Sequence, residues 1–106
     1  MSILEKNTLD GVALTKDKKT LALMISDHLP WDNEYEHLTA LQEKLNSYIV
    51  YWQSGQYKNI RDAKKVKNCV VEIYFMHEPT ENAYRFLETV NQQIAQINMR
   101  VAVCEE

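Results

Sequence analysis

The stretch Ile25-Ser26-Asp27-His28-Leu29-Pro30-Trp31-Asp32, with the amphipathic run from Asn33 to Gly55 behind it, most restricts the folds open to this chain. Leu21-Ala22-Leu23-Met24-Ile25 is too continuously apolar for a strand with one face in water, so Thr20 to Ser26 reads as a central strand. Pro30 turns the backbone, and Asp32 or Asn33 stands where a helix N-cap belongs. Tyr35, Leu38, Leu41, Leu45, Tyr48, Ile49 and Trp52 then recur at three- and four-residue steps as one broad stripe. Gly55 falls where a left-handed helix end is wanted.

The rest of the chain supplies partners for this unit. Val12 to Thr15 reads as a short strand, joined to the central one by a polar turn at Asp17-Lys18-Lys19. Gln56 to Lys67 is a polar, basic connection with Tyr57, Ile60 and Ala63 as its anchors. Asn68 to His77 carries the β-branched and aromatic residues of a strong strand. Thr80 is placed to cap a second helix whose stripe is Ala83, Phe86, Leu87, Val90, Ile94 and Ile97, and Asn98 can close it. Met99 to Cys104 is the last strand. The order β-β-α-β-α-β predicts an α/β (α+β) two-layer sandwich, a four-stranded mixed sheet in the order 1-2-3-4 with strand one antiparallel. Right-handed crossovers put both helices on one face and leave the other partly open, or covered by a partner. At 106 residues the chain fits a single domain spanning 1–106.

Charge narrows the function classes. A net charge of −3 argues against nucleic acid as the main partner, since phosphate binding needs an excess of Lys and Arg. The charges are uneven: Asp27, Asp32, Glu34, Glu36 and Glu43 occupy a stretch without Lys or Arg, whereas Lys58, Arg61, Lys64, Lys65 and Lys67 face one acid, Asp62. No signal-length or membrane-length apolar run occurs, which predicts a cytoplasmic protein without membrane contact. Cys69 and Cys104 form no metal-spaced or redox motif and read as small buried hydrophobes, too far apart along parallel strands to join.

Asp27, His28, Asp32 and His37 invite a metal or acid-base reading, because imidazole and carboxylate together can ligate zinc or relay protons. Their spacing matches no metal motif, and helix capping with a hydrogen-bonded turn histidine accounts for the same residues. Ser26, Ser47 and Ser54 sit in no nucleophile elbow, and with only Gly11 and Gly55 there is no phosphate loop. The expectation is therefore a non-enzyme with no cofactor and no metal. On the first helix, Glu36, Thr39, Glu43, Asn46 and Val50 fall within about 40° of one line opposite Leu41, Leu45 and Trp52, an acidic face with an apolar end. Together with the turn residues Asp27, His28, Trp31 and Asp32, this face is the expected partner-binding surface.

The run Ile25-Ser26-Asp27-His28-Leu29-x-Trp31, followed by His37-Leu38-x-x-Leu41-Gln42-Glu43-Lys44-Leu45-Asn46-x-Tyr48 and Ser54-Gly55-Gln56, resembles a family of small uncharacterised bacterial domains. The resemblance continues through Val70 to Phe75 and Arg85-Phe86-Leu87, and it implies no reaction. In size and charge the chain is also similar to immunity proteins that neutralise bacterial toxins. The expected role is a non-catalytic binding protein, a monomer or weak dimer, that covers a basic surface such as a toxin domain. The alternative is a small ligand-binding domain or enzyme using the Asp27–Trp31 turn, since α/β sheets bind ligands at the ends of their strands.

Overall fold

A computed structural model describes residues 3–104. It contains four strands, β1 (Gly11–Leu14), β2 (Thr20–Asp27), β3 (Asn68–Phe75) and β4 (Met99–Cys104), and two helices, α1 (Glu34–Ser54) and α2 (Glu81–Ile94). The sheet order is β1-β2-β3-β4, with β1 antiparallel and the other three parallel, as the sequence predicts.

Register explains which face the helices cover. Leu21, Leu23 and Ile25 stand level with Cys69, Val71 and Ile73, and those with Met99, Val101 and Val103. Except for Val103, these residues join Leu41, Leu45, Tyr48, Leu87 and Ile94 in the core, so both helices lie on this face. The opposite face carries Ala22, Met24, Val70, Glu72, Tyr74 and Ala102, with no second layer among the described residues. At the outer edge, the Asn91 side chain of α2 accepts from Val101 N at 2.6 Å and donates to Val101 O at 3.1 Å.

Local chemistry sets the element ends. Asn33, rather than Asp32, caps α1 by accepting from Glu36 N, and Gly55 ends it at φ 78°. Thr80 caps α2 through Ala83 N. Asn98, at φ 60°, closes the short 3-10 turn Ala95–Ile97 that follows. The basic connection contains two 3-10 turns, Gln56–Asn59 and Ala63–Lys65; within it Tyr57 stacks on Trp52 and Ala63 is buried. Trp52 Nε1 also donates to Ile97 O at 2.7 Å, tying the end of α1 to the approach of β4.

The buried stripe of α1 differs from the expected one. Tyr35 is 79% exposed, while His37 and Lys44 are buried beside Leu41, Leu45, Tyr48 and Trp52. At 100° per residue Tyr35 lies about 120° from Leu41, whereas His37 and Lys44 lie within about 60° of it. The aromatic is carried out of the core by phase, and two polar residues are carried in. Cys69 is buried, and burial pushes its thiol up to about 12; Cys104 is only half-buried. Both are free, on opposite ends of adjacent strands.

Candidate functional site

The turn after β2 is built around a buried pair. Asp27, the last residue of the strand, accepts from Leu29 N at 3.1 Å through Oδ1, which folds the turn back on itself. Its Oδ2 lies 2.6 Å from His37 Nε2, while His37 Nδ1 lies 3.1 Å from Pro30 O. Both ring nitrogens therefore face oxygens of the chain itself. Trp31 stacks on the imidazole with centroids 3.6 Å apart, and its Nε1 donates to the His77 carbonyl at 3.3 Å.

This arrangement takes both ring nitrogens out of use. His37 is buried with both ring nitrogens engaged, so neither reaches a substrate proton, and Asp27 is too deeply buried to touch a partner. Asp27 therefore leaves the expected binding surface: its carboxylate is a structural clamp on the start of α1. His28 and Asp32 are exposed and Trp31 is half-buried, so these three remain at the surface. No group of three or more His, Cys, Asp or Glu could hold a metal ion among the described residues.

A second buried pair lies one heptad along the same helix. Lys44 Nζ is 2.8 Å from Asp10 Oδ1 and 3.0 Å from Glu5 O, and Asp10 Oδ2 accepts from Ser26 N at 2.9 Å. The Tyr48 hydroxyl donates to Met24 O and accepts from Asp10 N, and burial pushes its phenol up to about 12. This network fastens residues 5–10 over α1.

The outer face of α1 is open along its length, with Glu36, Thr39, Glu43, Asn46 and Val50 all exposed. Where residues 6–9 pass beside the helix they close a groove of about 540 Å³, and Glu43, Asn46 and Val50 form part of its wall. The sequence reading missed this groove because its other wall comes from the N-terminal segment. It also missed a local base: Lys6 Nζ lies 3.9 Å from Glu43, an exposed and therefore weak pair. Glu34 is turned toward the second helix, where hydrogen bonds from Thr80 and then Asn82 hold its carboxyl below the usual range.

A family model described as a family of unknown function (DUF6572) matches residues 1–105. The chain belongs to that family. Comparison with curated proteins and with solved structures gives no match. For this DUF6572 member, the sealed Asp27–His37 pair and the grooved outer face of α1 are the features from which a role has to be argued. No helix among its described residues is long and apolar enough to cross a membrane.

Proposed function

We propose that this protein is a non-catalytic, stoichiometric binding protein that meets a basic protein partner through the outer face of α1. Its most concrete form is a cytoplasmic immunity protein covering the cationic surface of a cognate toxin. The observation that supports the reading is the coincidence of three members of the acidic face, Glu43, Asn46 and Val50, with the wall of the groove beside residues 6–9. An apolar tip, Val50 at 58% exposure, then sits at one end of a line of acids, with His28, Trp31 and Asp32 beyond the other end. Glu36 has no ion partner among the described residues, so its field reaches solvent and favours encounter with a cation.

The test uses wild type and the Glu36→Lys, Glu43→Lys double variant as baits in the native host, with the gene next to this one as the first candidate prey. Retention of a basic protein by wild type and its loss by an equally stable double variant supports the proposal. Equal retention by both moves the contact elsewhere, to the open face of the sheet.

A further inference from the structure

The opposite end of the molecule, where β2, β3 and β4 begin, has a different chemistry. The turn between β1 and β2 and the 3-10 connection before β3 meet there, held by Lys67 N and Asn68 N, which both donate to Lys19 O. They close a groove of about 630 Å³ lined by Lys16, Asp17, Lys18, Asp62, Lys64 and Lys65. Lys18 and Asp62 both adopt left-handed backbone, at φ 61° and 69°, and their side chains bridge the two turns at 2.7 Å.

The acids in this groove are committed. Asp62 is spent on Lys18, and Asp17 Oδ1 accepts from Lys19 N and Thr15 Oγ1, hydrogen bonds that hold its carboxyl below the usual range. Lys16, Lys64 and Lys65 have no ion pair among the described residues. Lys19, Arg61 and Lys67 are exposed around them, and Arg100 is exposed at the start of β4. With Lys58, nine exposed Lys and Arg stand at this end against two acids, in a chain whose net charge is −3. The whole-chain charge therefore hides a strongly cationic end. Such crowding repels itself, and an anionic ligand would relieve that repulsion.

We infer that this end binds the phosphodiester backbone of a nucleic acid, by charge and without reading sequence. Three observations select that ligand. The cations are mostly Lys, point charges that bind phosphate without bidentate geometry and are depleted at protein interfaces. The large exposed apolar side chains, Leu4, Val12, Tyr35, Val50, Met76, Tyr84 and Val103, all lie outside the two turns, so nothing there would anchor in lipid. The lysines line a concavity, which admits a ridge of phosphates and holds its charges back from a flat membrane.

The test is fluorescence anisotropy with a short labelled RNA duplex and the matching DNA duplex, titrated at several salt concentrations. Wild type is expected to bind with Kd on the order of 10⁻⁴ to 10⁻⁶ M at physiological salt and to weaken linearly in the logarithm of salt. The Lys16→Glu, Lys64→Glu, Lys65→Glu variant should bind at least about tenfold more weakly, with a salt slope shallower by about one per lysine removed. The Glu36→Gln, Glu43→Gln variant should bind no worse than wild type, and thermal melts show whether each protein is folded. No binding by wild type, or equal binding by the folded lysine variant, overturns the inference. So does capture by phosphatidylserine vesicles without capture of either duplex.

Discussion

The two buried pairs on α1, Asp27–His37 and Asp10–Lys44, are built alike and serve different ends. In each, one carboxylate oxygen meets the helix side chain and the other accepts a main-chain N–H, from Leu29 in the first and Ser26 in the second. The first joins residues ten apart and fixes how a strand turns into a helix. The second spans 34 residues and holds the N-terminal segment against the core. They differ in chemistry as well. An imidazole can stay hydrogen-bonded to a carboxyl as a neutral ring, while an ammonium buried without a counter-charge is costly. The short-range pair is therefore a tolerant clamp and the long-range pair an intolerant one.

The largest effect should come from breaking the intolerant pair. Asp10→Ala leaves Lys44 buried without its carboxylate and is expected to lower unfolding stability by about 3 to 5 kcal/mol in urea melts. Replacing both partners, Asp10→Leu with Lys44→Met, should recover much of that loss. If the double variant is no better than the single one, the network matters as a whole and not as a pair.

Leu41 lies between the two pairs on the same face and gives an apolar yardstick. Leu41→Ala should destabilise by about 2 to 5 kcal/mol, because the site is fully buried and the substitution leaves a cavity there. Val50→Ala, on the outer face, should change stability by less than about 0.5 kcal/mol. Similar losses at the two positions would contradict the phase assigned to α1.

Asp27→Asn tests the tolerant pair. It keeps one acceptor oxygen for His37 Nε2 and loses the one that Leu29 N uses, so its cost should be about 1 to 3 kcal/mol, below that of Asp10→Ala in the same melts. Of the polar changes the smallest effect is expected at Tyr48, because Tyr48→Phe removes only the hydroxyl and keeps the ring under Lys44 Nζ: it should cost about 1 kcal/mol. Its pH signature is distinctive. The folded phenol lies at about 12, above its ordinary value of 10.0, so the stability it contributes is whole below pH 10.0 and is lost as pH rises toward 12. Cys69 loses stability over an overlapping alkaline range for the same reason, so Tyr48→Phe should make the alkaline decline shallower without abolishing it.

Where one residue's own chemistry decides, the sequence was readable. Thr80 caps the start of α2 and Gly55 ends α1 as expected, Asn98 is left-handed but closes the 3-10 turn after α2 has ended at Ile94, and Met99–Cys104 is a strand over the span its alternation suggests. The exposure of Glu36, Thr39, Glu43, Asn46 and Val50 followed from helical phase. Tyr35 and Lys44 depart from what residue type suggests, because helical phase carries the aromatic out of the core and the cation into it. Asp10, whose carboxylate makes Lys44 tolerable in the core, lies 34 residues away, beyond any periodicity. The burial of Asp27 is not legible locally, because the loop that seals it closes only in three dimensions, through Leu29, Pro30 and His37.

The side-chain amide of Asn91 has one more consequence. With one acceptor and one donor aimed at the two outward groups of Val101, it imitates a single residue of a neighbouring strand, and the sheet stops there. A second chain seeking to extend the sheet through β4 has to evict that amide first. Strand addition at β4 is thereby opposed at Val101 by one rotamer: Asn91→Ala would free that stretch of edge as a template, with concentration-dependent association seen in sedimentation as the sign of it.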